Sequence, residues 1–250
     1  MANVPGLVTD PSRIKGGVIS LPSGGGQIAA YLAYPNQPGN YPGIVVIQEA
    51  FGLTSHIVDI TGRLAEDGWL AIAPALFHRQ GSPVFAYDDF EKMFPIFKEL
   101  NAAGVAMDVD ATIAAIAERG IPTERTGIVG FCMGGTVALQ TAARVPLGAA
   151  VTFYGGGVAE GRFGFPSCID AAPTLKAPWL GLYGDLDKGI PVEEVESLRI
   201  AAKQAGVETE IVRYPEADHG FNCDARPSFH PESAADGWSR TLRWFDRHLA

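Results

Sequence analysis

The feature that most limits how this chain can fold is a series of short, continuously apolar runs separated by amphipathic stretches. The runs read GIVVIQ (43–48), WLAIAPA (69–75), TGIVGF (126–131), GAAVTFY (148–154), PWLGLYG (178–184) and ETEIVRYP (208–215). Most are too evenly apolar for a strand with one wet face, so they suit a sheet covered on both sides. Helical patterns lie between them at 57–67, 88–119, 133–144, 192–205 and 233–248. Pro95 and Gly104 are expected to break or kink the long one. Strand–helix alternation of this kind predicts an α/β fold, with a mostly parallel sheet and helices on both faces. Ahead of Pro42 the pattern differs. KGGVISL, a PSGGG turn and QIAAYLAYP read as a hairpin. The Gly- and Pro-rich stretch 155–173 is expected to loop over the sheet. No repeat or linker composition divides the chain, so residues 1–250 are expected to form one domain.

Composition narrows the function. Hydrophobic residues make up 47% and charged residues 19%, which suits a packed globule and argues against disorder. A formal net charge of −9 disfavours nucleic acid as a partner, because phosphates would be repelled. No run of ~18 apolar residues is available to span a membrane. The N-terminal MANVPGLVTDPSRIKGG lacks the apolar core of a signal peptide. The three cysteines, Cys132, Cys168 and Cys223, are an odd set without C-x-x-C spacing. They form no disulfide framework, and a reducing cytoplasm is the expected compartment.

One motif carries chemistry. Gly130-Phe131-Cys132-Met133-Gly134-Gly135 follows an apolar run and precedes the helical TVALQTAAR. A G-x-C-x-G-G at a strand-to-helix junction fits a nucleophile elbow, where small neighbours let the turn close. The helix N-terminus then points at the thiol and favours anionic species. The competing reading is a buried structural cysteine beside a tight turn. Neither G-x-G-x-x-G nor a Walker A loop fits the same residues.

An elbow nucleophile needs a base and a group that orients it, in the chain order nucleophile, acid, histidine. Asp185 and Asp187 follow the run 178–184, and His219 follows 208–215 within Glu216-Ala217-Asp218-His219-Gly220. Both segments lie just beyond strand C-termini, where open sheets place their sites. His219 is the expected base. Asp187 is favoured as its partner within G-x-x-D-x-x-x-P, with Asp185 left to cap the turn or the helix near Pro191. His248 lies on the terminal helix and is expected to be solvated. His56, His78 and His230 have no H-x-H or H-x-x-x-H partner, so no metal site is expected.

With these segments in hand, the chain resembles the dienelactone hydrolase family of cysteine-based α/β-hydrolases. The likeness runs from about residue 15 onward. It is most specific at Val46–Gly52, Gly130–Gly135, Gly184–Pro191 and His219-Gly220-Phe221. The resemblance implies an α/β-hydrolase fold and supports Asp187 over Asp185. It implies that Glu49, at the end of a central strand, contacts the nucleophile and helps control its protonation. It puts an oxyanion hole on the backbone N–H groups of Met133 and Ala50. It implies that Arg79 and Arg226 hold a substrate carboxylate, although Arg226 lies farther from His219 than the family pattern suggests. Phe51 and Tyr154 complete the expected substrate contacts. The expected partner is a small-molecule ester or lactone, hydrolysed through an acyl-cysteine with no cofactor. A general carboxylesterase or thioesterase, and a silent hydrolase scaffold used for binding, are the alternatives.

Overall fold

The computed structural model describes residues 8–250, so the first seven residues of the N-terminal stretch read above lie outside the described part. The hairpin is the first element. Strands β1 (Ile14–Ser23) and β2 (Gly26–Pro35) pair antiparallel from Ile14↔Pro35 to Ser23↔Gly26. Gly24 and Gly25 both take positive φ, 57° and 79°, which a two-residue hairpin turn with the sheet's own twist requires.

The apolar runs become β3 (Gly43–Ile47), β4 (Leu70–Pro74), β5 (Thr126–Phe131), β6 (Ala149–Phe153), β7 (Trp179–Gly184) and β8 (Thr209–Tyr214). They join the hairpin in one eight-stranded sheet of order β1-β2-β4-β3-β5-β6-β7-β8. From β4 to β8 every pairing is parallel, while β2 meets β4 antiparallel. Every residue of β3, β5, β6 and β7 is buried, as their unbroken apolar character requires. The edge strand β8 is only partly buried, at Ile211 and Tyr214.

The connections are the helices α1 (Ser55–Glu66), α2 (Phe90–Lys98), α3 (Ala102–Ala117), α4 (Met133–Arg144), α5 (Cys168–Ala171), α6 (Val192–Ala202) and α7 (Pro231–Leu249). Strand parity sorts two of them onto opposite faces. A Cβ on Gly127 would meet Phe245 and Leu249 of α7, whereas one on Gly130, three residues on, would strike the backbone of α4.

Two expectations about helices need correction. The 88–119 stretch breaks at 99–101 rather than at Pro95 or Gly104, and α2 and α3 meet at 91°. Asn101 takes an extended backbone and accepts from the Gly104 N–H at 2.8 Å, so it caps α3 and puts Gly104 in the first turn. Pro95 is tolerated inside α2. At the C-terminus, His248 is not solvated: its ring packs on Trp244 at 4.7 Å and its side chain is 14% exposed. Among the described residues no single helix is long and apolar enough to cross a membrane.

Candidate active site

Cys132 occupies the junction between β5 and α4 at φ 56°, ψ −118°. A non-glycine residue held there costs about 1–3 kcal/mol of backbone strain. The glycines around it explain how the strain is held. A Cβ on Gly130 would lie 1.8 Å from the Gly134 carbonyl oxygen, and one on Gly134 would lie 2.4 Å from that of Ile47. One on Gly135 would lie 2.7 Å from the Phe153 oxygen. The first turn of α4 is therefore seated directly on β5, β3 and β6, and the chain has no room to relax. The Cys132 N–H donates to the Phe153 carbonyl at 3.0 Å. Of the three cysteines, Cys132 is partly exposed, whereas Cys168 and Cys223 are buried. Burial also pushes the Cys168 thiol up to about 12.

The loops after β7 and β8 bring Asp187 and His219 to the same end of the sheet. His219 Nδ1 lies 2.6 Å from Asp187 Oδ2. The other oxygen of Asp187 accepts from the Gly189 N–H at 2.8 Å, which locks the carboxylate in place. Burial opposes charge on the imidazole, but its interactions with the neighbouring Cys132 and Asp187 more than offset it and raise its pKa to about 10. Asp185 takes another role. It grips Arg213 with both oxygens, each at 2.7 Å, instead of capping a turn or helix.

Glu49 follows β3 and is fully buried. Its Oε1 accepts from Arg226 Nη1 at 3.1 Å, while Oε2 has no hydrogen-bond partner. Arg226 also lies over the rings of Phe51 (5.7 Å) and Tyr87 (5.8 Å). The separation of Arg226 from His219 in sequence is taken up by turns at Gly220 and Cys223 that fold the loop back, so Arg226 crosses close over Gly220. Gln48 fixes this strand end by accepting from the Leu76 N–H and donating to the Glu49 carbonyl. Tyr154 is buried with its ring 5.1 Å from that of His219 and its hydroxyl unpartnered. Neither the Met133 nor the Ala50 N–H takes part in the hydrogen bonds of the surrounding turns.

Cys132 and His219 face a tight cleft of about 70 Å³ whose walls include Phe97, Arg162, Phe163 and Ile190. Arg226, Thr54, Tyr87, Phe90 and Pro227 border a larger apolar groove of about 750 Å³.

Arg79 is not brought to this cleft. Its guanidinium forks the buried Asp108 carboxylate at 2.6 and 3.0 Å, and His78 and Ser23 bond the same group. A carboxylate with no exposure needs a cation, and Arg79 supplies it. A different arginine lines the cleft. Arg162 is exposed, lies against Gly156, and has no ion-pair partner among the described residues. It sits in the 155–173 loop without any motif, so only the fold could reveal it.

A parallel sheet covered by helices, with a cysteine on a strained turn at its carboxyl edge and a carboxylate–histidine pair facing it, defines the α/β-hydrolase class. The comparisons name the branch. The family model described as "Dienelactone hydrolase family" matches residues 28–249, and this chain belongs to that family. A Yersinia pestis protein that carries a provisional carboxymethylenebutenolidase name is 44% identical over 93% of this chain and 88% of its own length. A Klebsiella pneumoniae crystal structure, provisionally titled a dienelactone hydrolase, aligns with TM-score 0.87 and 43% identity, covering 94% of this chain and 99% of that one. An acylaminoacyl peptidase of Pyrococcus horikoshii shares the fold alone: TM-score 0.73 at 15% identity, over 95% of this chain and 42% of its own. The chain is a hydrolase of the dienelactone hydrolase type.

Proposed function

We propose that the chain hydrolyses a carboxylate-bearing ester or lactone through Cys132, with His219 as acid and base and Asp187 orienting it. The observation that carries this reading is the 2.6 Å His219–Asp187 bond beside a cysteine on a strained turn. The Cys132 thiolate attacks the acyl carbon, and the oxyanion that forms is received by the Met133 and Ala50 N–H groups. Collapse breaks the C–O bond, and the leaving oxygen takes a proton from the His219 imidazolium. His219, now neutral, removes a proton from water as it attacks the thioester. The C–S bond breaks, the acid departs, and the thiolate that faces the imidazolium takes back its proton from Glu49 as Arg226 returns to that carboxylate. No step calls for a metal or organic cofactor.

Glu49 is the device that would tie this cycle to the substrate. In this structure it is held by Arg226, and its Oε2 is a buried acceptor without a hydrogen-bond partner; on this reading that oxygen takes the thiol proton. A substrate carboxylate that draws Arg226 away would leave Glu49 more basic and so release a thiolate as substrate arrives. Arg226, with Phe51 and Tyr154 beside it, and the unpaired Arg162 are the cations that favour an acidic substrate; Arg79 is spent on Asp108. The single sheet and the three free cysteines support one domain working in a reducing cytoplasm.

The test is hydrolysis of a dienelactone and of p-nitrophenyl acetate, with and without iodoacetamide. Cys132→Ala and alkylation are each expected to abolish turnover of both, and Cys168→Ala to leave most of it. Full turnover in Cys132→Ala overturns the mechanism. Equal kcat/KM losses for acidic and neutral substrates on removal of Arg162 would make the enzyme a general esterase.

A further inference from the structure

A second cysteine–histidine–aspartate group lies outside this machinery. His56, in the first turn of α1, meets Cys223 and Asp224, which lie in the loop after His219. One imidazole nitrogen, the thiol sulfur and a carboxylate oxygen are all within 4.8 Å of one another. His56 Nδ1 is 3.3 Å from Asp224 Oδ1. The His56 side chain is 1% exposed and Cys223 is fully buried, while Asp224 opens to solvent at 25%. Neither ring nitrogen of His56 has a well-formed hydrogen bond. A buried imidazole that makes no hydrogen bond of full geometry, yet faces a thiol and a carboxylate at this spacing, presents the donor set of a metal site.

We propose that His56, Cys223 and Asp224 bind a borderline divalent cation, with Zn²⁺ as the expected occupant. Thiolate and imidazole together select zinc or cobalt over magnesium or calcium, and the carboxylate completes a three-ligand set with one position left for water. With metal–ligand distances of about 2.0–2.3 Å, tetrahedral ligand atoms sit roughly 3.3–3.7 Å apart. A closure of about 1 Å by the 222–228 loop would reach that spacing, and the open edge at Asp224 supplies the way in. Binding releases the thiol proton of Cys223, and the imidazolium proton when His56 carries one, to solvent. The local field is mixed. Glu49 lies near enough to act on His56, and Arg63 stands 3.9 Å from Asp224 but is held by Asp59 at 2.7 Å. The site does not depend on the hydrolytic reading, because Cys132 takes no part in it.

The experiment is a Co²⁺ titration of the full-length Cys132→Ser protein after chelator treatment, followed by Zn²⁺ displacement. A near-ultraviolet thiolate-to-cobalt band saturating at one metal per chain is expected, reversed by Zn²⁺. Cys168→Ser should keep the band and Cys223→Ser should lose it. Asp224→Asn, at a partly exposed position, should fold and bind at least about 10-fold more weakly. No band in Cys132→Ser, a band that survives Cys223→Ser, or unchanged affinity in Asp224→Asn would each overturn the assignment.

Discussion

If the substrate is acidic, as proposed above, Arg162 and Arg226 offer two different ways to read its charge. Arg226 is already paired with Glu49, so a carboxylate must compete for it. Arg162 at the cleft wall has no such competitor. One charge-assisted bond at an exposed site is worth about 1.5 kcal/mol, or roughly a tenfold change in binding. Arg162→Ala is therefore expected to raise KM for a carboxylated lactone about tenfold while leaving p-nitrophenyl acetate nearly unchanged; steady-state kinetics on both substrates measures the difference. Glu49→Gln keeps the shape of the side chain but removes the acceptor charge. It is expected to lower kcat at least about tenfold without lowering the melting temperature, and an unchanged rate would reduce Glu49 to a strand-end residue. Sequence pattern pointed to Cys132 because its flanking glycines tie it to a strand end, and the family resemblance pointed to Glu49. It could not point to Arg162, since a loop arginine has no periodicity to betray where it lies.

Between elements, the α4 N-terminus depends on contacts that only glycine permits. Gly130→Ala has no void to fill, because its Cβ would overlap the Gly134 carbonyl. Overpacking of this kind costs about 1–3 kcal/mol or more, and here the displaced turn carries Cys132. The expected result is a lower melting temperature together with lost iodoacetamide labelling at Cys132. Normal labelling would mean that the turn relaxes elsewhere. A second junction joins β1, the 78–80 turn and α3 around the buried Asp108. Arg79→Ala leaves that carboxylate with His78 and Ser23 alone, a loss of about 1–3 kcal/mol. For a chain of this size that lowers the melting temperature by roughly 2–12 °C. Calorimetry should show the drop while the ratio of acidic to neutral substrate turnover stays constant. A selective KM change for the acidic substrate would restore Arg79 to the binding site.

For the whole molecule, pH tolerance follows from surface networks such as Glu196 with Arg199 and Arg213. These two guanidinium groups hydrogen-bond the Glu196 carboxylate and hold its pKa down at about 2. A lowered folded-state pKa adds stability above the unfolded value near 4.5, and that contribution fades as pH falls through about 2. Glu196 is 40% exposed, so screening limits the gain to at most about 1 kcal/mol. Glu196→Gln should melt slightly lower than the natural chain at pH 7, and the gap should close between pH 4.5 and 2. A gap that widens on acidification would contradict the assignment.

What the chain determined by itself is whatever depends on near neighbours in sequence. The apolar runs had to be covered on both faces, so β3, β5, β6 and β7 were legible as core strands. The glycines flanking Cys132 permit only a tight strand-to-helix turn, so the elbow was legible too. The 99–101 break was missed because Asn101 outranks Pro95 and Gly104 through a cap that only the folded backbone closes. Tertiary structure decided everything that required distant residues to compete for one another. It joined Asp187 rather than Asp185 to His219, because Arg213 on the adjacent strand takes Asp185. It withdrew Arg79 from the cleft, because the buried Asp108 on α3 demands a cation. It set His56 against Cys223 and Asp224, whose separation along the chain carries no spacing signal. Charges pair according to burial and distance, and neither quantity exists until the sheet has brought the segments together.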